Sequence, residues 1–244
     1  MHASSFSVNL QPASGRRAPS RAAGFTLTDL LATLAVLALL AAVVVPIVVG
    51  IGAKPKLAQC QANLREVNRA VLQFANDHNH TLPRMDGHPA PGGWWWYKED
   101  VKVYAGLKGD SSPNDTVFAC PEDRGYGEGG GKPLPFSQSG RHDFTSYVFN
   151  GVNLPGVPNV GGWRLAEVRH PARTLLVMEW TAHAPLSWHR SRTGRANTPF
   201  YNNAESVVGF ADGHVALTKV YYDGLNAAYT RDPVPGYAYQ YSGD

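Results

Sequence analysis

The sequence contains little cysteine and lacks the motifs that mark several large enzyme classes. Its two cysteines, Cys60 and Cys120, do not form the Cys-x-x-Cys pair of a typical metal site. The chain also has no nucleophile elbow, no zincin motif and no nucleotide-binding fingerprint. These absences predict a protein that is not an enzyme and that carries no cofactor.

An excess of charge is also lacking once the N-terminal segment is set aside. Arg16, Arg17 and Arg21 are the only charged residues in 1–24, so 19 of the 22 basic residues remain beyond it, against 19 acidic ones. A chain with no formal net charge has no evident surface for a polyanion. We therefore predict no nucleic-acid partner.

Charge is missing altogether from Leu30 to Ala53, where leucine, alanine, valine and isoleucine predominate. This run is longer than the roughly 18–20 residues that a helix needs to cross a hydrocarbon core. The sequence therefore predicts a transmembrane helix. The three leader arginines favour an N-terminus that stays in the cytoplasm.

A short motif precedes the apolar run: Gly24, then Phe25-Thr26-Leu27, then Asp29-Leu30. A secretory signal would place a shorter apolar core before its small-residue cut site. Here the glycine and the basic residues come first, so a cut after Gly24 would leave the apolar helix on the mature protein.

This N-terminus resembles that of type IV prepilins and type II secretion pseudopilins, whose signature is Gly, Phe-Thr-Leu, any residue, Glu-Leu and an apolar helix. The resemblance makes Gly24 the residue before the cut and Phe25 the new, N-methylated first residue. Asp29 stands where the family has glutamate, and Pro46 where many pilins carry a helix-kinking proline. Asp29 would pair with the Phe25 amine of its own chain or of a neighbouring subunit during assembly.

The resemblance implies a structural subunit of a type IV pilus-like or type II secretion pseudopilus filament. The implied partners are prepilin peptidase, other pilin or pseudopilin subunits, an inner-membrane assembly platform and the membrane. The implied location is the inner membrane, single-pass, with a periplasmic C-terminal domain, and a periplasmic or extracellular filament after assembly. The alternatives are a membrane-anchored periplasmic binding module or enzyme with an uncleaved anchor, and a secreted protein cut near Ala41-Ala42.

Beyond the apolar run the pattern changes to a stripe at spacings of three and four, which is typical of an amphipathic helix lying on a sheet. The stripe residues are Leu57, Cys60, Leu64, Val67, Val71 and Phe74. We predict an α+β, pilin-like fold in which one long N-terminal helix packs on a C-terminal antiparallel β-sheet domain. The predicted segments are a leader (1–24), a transmembrane and assembly helix (25–53), an amphipathic helix (54–80) and a β-rich periplasmic domain (81–244).

Several short strands are predicted in the β-rich part. Residues 117–121 form a strand stopped by Pro121, residues 146–151 a strand and turn, and residues 173–180 a buried strand. The apolar runs on either side of Asp212-Gly213 predict a hairpin, since Asp-Gly is a strong hairpin signal.

The two cysteines lie on the predicted helix stripe and at the predicted strand end, on the exported side, where a disulfide is chemically allowed. A Cys60–Cys120 bridge would join helix to sheet. Two unpaired buried thiols are the alternative.

The second half also resembles a widespread group of bacterial pilin-like proteins. The matching segments are Cys60-Gln61-Ala62-Asn63-Leu64, Cys120-Pro121, Ser146-Tyr147-Val148-Phe149-Asn150 and Phe210-Ala211-Asp212-Gly213-His214-Val215. That group carries a histidine ten residues before its Asp-Gly. Asn202 stands there in this chain, and the nearest histidine upstream is His189.

Six polar residues of the second half are the candidates for a chemical site: Glu179, His183, His189, Asp212, His214 and Asp223. Asp212, His214 and one more acid would make a Ca²⁺ or Zn²⁺ site, and some pseudopilins bind calcium. The simpler interpretation is that Asp212 serves the hairpin turn and that His214 points outward from the next strand. We therefore predict no metal, with Ca²⁺ as the alternative.

Overall fold

The computed structural model describes residues 26–51, 53–85, 93–125, 134–152, 154–183, 187–189, 204–221 and 232–244, and their side chains except those of 43–51, 53–54 and 182–183. The chain divides into two compact units, Met1–Val49 and Gly50–Asp244. Each unit is described by itself below.

The predicted single long N-terminal helix is wrong. Two helices take its place, α1 (Leu27–Ile51) and α2 (Ala53–Asp77), and a short third helix, α3, spans Tyr97–Val101. Glycine is a poor helix former, and the sequence places Gly50 and Gly52 at this boundary. Pro55 lies in the first turn of α2, where its missing N–H costs no intrahelical hydrogen bond. A helix continuing through Pro55 would lose such a bond.

The predictions of a transmembrane helix and of a single-pass inner-membrane location are contradicted as well. Among the residues that the structure describes, no helix is both long enough and apolar enough to cross a membrane.

The second unit, Gly50–Asp244, is called the globular unit below. It is built on a four-stranded antiparallel sheet in which strands adjacent in the chain are also adjacent in space. The strands are β1 (Tyr147–Phe149), β2 (Leu175–Glu179), β3 (Glu205–Phe210) and β4 (Val215–Lys219). The hairpin expected at Asp212-Gly213 is present, with Gly209 opposite Val215 and Val207 opposite Leu217. Gly213 has a φ of 97°, which suits glycine in the turn.

Helix α2 covers one face of this sheet. Its stripe residues Cys60, Leu64, Val67 and Val71 are completely buried. They belong to one apolar cluster with residues from three strands, namely Tyr147, Phe149, Val177 and Val207. The stripe in the sequence therefore marks the contact between α2 and the sheet.

The opposite face of the sheet is covered too. Val148, Met178 and Val208 pack in a second cluster with Tyr239 and Tyr241, from the C-terminal segment. Because both faces are covered, all five residues of β2 are buried, and its first four residues are apolar without alternation; the fifth is Glu179.

The strand predicted over residues 117–121 is not formed. Thr116–Phe118 make a short 3₁₀ turn, and Ala119 follows in an extended conformation. Ser146 donates its backbone N–H to the carbonyl oxygen of Phe118 at 2.8 Å, which holds the turn next to the start of β1. Cys120 is therefore presented by a loop and not by a strand.

Candidate functional site

The candidate site is a buried cluster around the bridge between Cys60 and Cys120. The structure contains this disulfide, so the alternative of two unpaired thiols is wrong. Cys60 lies on the buried stripe of α2, and both cysteines are almost inaccessible to solvent. The hydroxyl of Tyr147 donates to the carbonyl oxygen of Cys60 at 3.3 Å, which links this helical turn to β1.

A buried carboxylate and imidazole lie beside the disulfide. Glu179, the last residue of β2, is completely buried, and its Oε1 lies 2.8 Å from Nε2 of His189. Its other oxygen, Oε2, accepts the backbone N–H of Val207 at 2.8 Å. Nε2 of His189 also lies 4.0 Å from Sγ of Cys120. The Glu179–His189 pair therefore contacts the bridge directly.

A second buried carboxylate supports the loop that carries Cys120. Ser146 accepts the backbone N–H of Cys120 at 2.9 Å and donates its hydroxyl proton to Oδ2 of Asp123 at 2.7 Å. Asp123 also accepts the backbone N–H groups of Gly125 and Ser137. This network fixes the position of Cys120. It also gives the Ser146 hydroxyl a structural task rather than a nucleophilic one.

Burial dominates the electrostatics of the cluster. It raises the pKa of Glu179, against the opposing effect of the hydrogen bond with His189. It also raises the pKa of Tyr147 well above its usual value, and the nearby Glu179 acts in the same direction. The cluster therefore favours states with little net charge.

Four potential metal-ligating atoms meet in this cluster. The two cysteine sulfurs, a carboxylate oxygen of Glu179 and a ring nitrogen of His189 all lie within 4.8 Å of one another. In the part of the chain that the structure describes, no other group of three or more such side chains lies close enough together to hold a metal ion. Asp212 and His214 do not belong to it.

Asp212 and His214 pair locally at the hairpin turn. Oδ1 of Asp212 accepts the backbone N–H of His214 at 3.0 Å and lies 2.6 Å from its Nδ1. The His214 ring stacks on Phe210, with 4.2 Å between the ring centres. These contacts support the turn, and no further metal-ligating residue joins the pair in the described part of the chain. Asp223, Asn202 and the side chain of His183 lie outside the described residues.

At the N-terminus, Gly24 and Phe25 lie outside the described residues, and Pro46 belongs to α1 without a described side chain. Asp29 is described. Its Oδ2 accepts both the backbone N–H of Thr26, at 3.0 Å, and the Thr26 hydroxyl, at 2.6 Å. Thr26 in turn accepts the backbone N–H of Asp29 at 3.2 Å. This reciprocal arrangement is a capping box, and its hydrogen bonds lower the pKa of Asp29.

Sequence patterns identify Glu179 and His189 as candidate residues but do not place them beside the cysteines, and they give no indication of Asp123 or of the role of Ser146. The sequence contains a signal for one of these contacts. Cys120-Pro121 and Ser146-Tyr147 are two of the segments on which the resemblance to pilin-like proteins rests, and the backbone N–H of Cys120 donates to the Ser146 hydroxyl. No protein-family model matches the chain, and comparison with curated proteins and with solved structures gave no match either.

Proposed function

We propose that this chain is a structural subunit of a type IV pilus-like or type II secretion pseudopilus filament. In this proposal prepilin peptidase cuts the chain after Gly24, Phe25 becomes the N-methylated first residue, and subunits polymerise through α1. The support comes from the N-terminal motif, whose glycine, phenylalanine, acid and apolar run stand in the order that prepilins require.

The exposure of α1 is the structural observation that carries the proposal. Eight leucine and valine side chains are each 46–74% exposed: Leu27, Leu30, Leu31, Leu34, Val36, Leu37, Leu39 and Leu40. They lie on all sides of the helix, because successive residues are about 100° apart. A helix that is apolar all round requires burial by other molecules. The same helix from neighbouring copies provides that burial in a filament core.

The globular unit has the features expected of the folded domain of such a subunit. It has an apolar core on both faces of its sheet and a disulfide that cross-links α2 to the Cys120 loop. The contacts of Ser146, Asp212 and His214 are structural in the part of the chain that is described. A scaffold role therefore fits these residues better than catalysis.

Processing at Gly24 is the first test. A membrane-embedded peptidase must close around the residue before the cut, and a glycine there has no side chain to clash. Gly24→Phe should remain uncut when the chain is co-expressed with a prepilin peptidase, whereas the parent should begin at N-methylated Phe25. Mass spectrometry of the N-terminal peptide measures both outcomes.

Gly15→Phe is the matched control, since Gly15 also lies in the leader but away from the cut. It should be processed like the parent. Normal processing of Gly24→Phe, or a parent chain that keeps its leader, would contradict the proposal.

A further inference from the structure

We propose that the reduced form of this chain binds one Zn²⁺ between Cys60, Cys120, Glu179 and His189. The ligand atoms are the two sulfurs, Nε2 of the imidazole and a carboxylate oxygen. This inference does not rest on the proposed filament function, since it concerns a buried site in the globular unit.

The distances fit a zinc centre. Zinc binds sulfur at about 2.3 Å, imidazole nitrogen at about 2.0–2.1 Å and carboxylate oxygen at about 2.0–2.2 Å, in a tetrahedron. Those lengths place neighbouring ligand atoms roughly 3.3–3.8 Å apart. The four atoms of the cluster already lie within 4.8 Å of one another. Once the S–S bond opens, small side-chain movements bring them to tetrahedral positions.

The ligands come from separate, well-supported parts of the fold. Cys60 is on α2, and Glu179 is held at the end of β2 by the backbone N–H of Val207. Cys120 is held through Ser146. The backbone N–H of His189 donates to the Ser187 hydroxyl at 3.1 Å. Partners of this kind orient metal ligands and contribute to metal affinity.

The donor set selects zinc over calcium. Calcium binds six to eight oxygen atoms, whereas this cluster offers two sulfurs and a nitrogen with one carboxylate. Thiolate, imidazole and carboxylate are the ligands of tetrahedral zinc sites. All four residues are at most 8% exposed, so the site excludes solvent in the manner of a structural zinc centre.

The two states interconvert by a balanced redox step. A dithiol reductant supplies two electrons and two protons, becomes a disulfide itself, and converts the bridge into the thiols of Cys60 and Cys120. Zn²⁺ then displaces one proton from each thiol. The ion also displaces the proton shared between Nε2 of His189 and Oε1 of Glu179, and the three displaced protons pass to water. A disulfide oxidant reverses these steps: it accepts the two electrons, becomes a dithiol, re-forms the Cys60–Cys120 bond and releases the metal.

The test uses the full-length chain in detergent, oxidised or reduced with a phosphine that does not hold zinc. Gel filtration removes unbound metal, and elemental mass spectrometry then measures the number of Zn²⁺ ions per chain. We expect one ion in the reduced chain and none in the oxidised chain. Co²⁺ in place of Zn²⁺ should give the absorption bands of a tetrahedral, thiolate-bound ion.

Glu179→Gln and His189→Gln should each weaken zinc binding by at least about tenfold, because even partners outside the ligand shell contribute that much. Chelator competition measures this affinity in the reduced chain. His214→Gln, which removes an exposed imidazole outside the cluster, should bind like the parent. Tryptophan fluorescence reports whether each variant folds.

Equal zinc content in the oxidised and reduced parent would overturn the proposal, as would octahedral Co²⁺ bands. If reduced Glu179→Gln and reduced His189→Gln both bind zinc as tightly as the parent, only the two thiols contribute to the site. That result would also overturn the proposal. If a variant does not fold, the zinc content and the Co²⁺ spectrum of the parent decide the matter.

Discussion

At the scale of single residues, Lys98 is notable because its side chain is completely buried. Its Nζ lies 2.8 Å from Oδ2 of Asp115 and donates to the carbonyl oxygen of Asp143 at 2.6 Å. Burial acts to raise the pKa of Asp115, but hydrogen bonds from Lys98 and Ser112 outweigh it and lower the pKa. Lys98 therefore stabilises the charged form of the Asp115 carboxylate, which has little access to water.

Lys98→Met should destabilise the globular unit by about 3 kcal/mol, because removing one partner leaves the other charge unpaired. The free energy of unfolding from chemical denaturation measures the loss. Lys56→Met is the control: Nζ of Lys56 lies 3.7 Å from Glu122 and the side chain is 53% exposed. An exposed pair contributes at most about 1 kcal/mol. Similar losses in the two variants would contradict the role of Lys98.

Asp143 predicts a pH dependence. Burial raises its pKa to about 6, above the usual 3.8 and against the effect of Lys98. The folded protein therefore binds this proton more tightly than the unfolded chain does. The resulting stability is complete below about pH 4 and is lost as the pH rises through about 6.

Asp143→Asn should remove this part of the pH dependence, since the amide does not titrate. Asparagine also tolerates the φ of 51° at this position. Unfolding free energies of the parent and the variant, measured from pH 4 to pH 8, should diverge in favour of the variant as the pH rises. A constant difference over that range would show that Asp143 does not titrate with a raised pKa.

At the scale of elements, α2 is held against the sheet by close packing and by the disulfide. A Cβ on Gly209 of β3 would lie 2.6 Å from Oδ1 of Asn68, and Asn68 donates to the carbonyl oxygen of Phe210 at 3.0 Å. The helix and the strand therefore approach as closely as glycine allows. The bridge adds a covalent link between α2 and a loop 60 residues away.

The double variant Cys60→Ala, Cys120→Ala should lose about 4 kcal/mol of unfolding free energy, since the bridge closes a long loop in the unfolded chain. The denaturation is measured with a chelator present, so that zinc cannot replace the bridge. The reduced parent in the same buffer should show a similar loss. An unchanged stability in both samples would exclude a stabilising role for the disulfide.

At the scale of the whole molecule, Asp29 has one structural task that the structure shows and a second that the proposed filament would require. The capping box with Thr26 supports the start of α1 within the chain. The filament proposal adds a pairing between the carboxylate and the Phe25 amine that the cut creates. The two tasks differ, because capping needs a hydrogen-bond acceptor whereas pairing needs a charge.

Asp29→Asn keeps the acceptor and removes the charge. We expect it to be cut normally but to be missing from pelletable filaments, whereas Asp29→Glu should still assemble. Thr26→Ala, which removes the cap and keeps the charge, should assemble like the parent. Filament formation by Asp29→Asn at the level of the parent would show that the charge does not direct assembly.

Several features follow from local sequence, because their physical causes act over a few residues. The spacing from Leu57 to Phe74 marks the buried side of α2, and Asp212-Gly213 specifies the turn between β3 and β4. The break between α1 and α2 is also local, at Gly50, Gly52 and Pro55, but the apolar pattern around it favours one continuous helix.

Tertiary structure alone decided the composition of the buried cluster. Cys120, Glu179 and His189 are 60 to 129 residues from Cys60 in sequence, and no periodicity links them. They meet because α2 packs on the sheet, β2 ends beside it, and the Ser146 network positions the Cys120 loop. Such contacts depend on how distant elements bury their apolar faces together, which a local pattern does not specify.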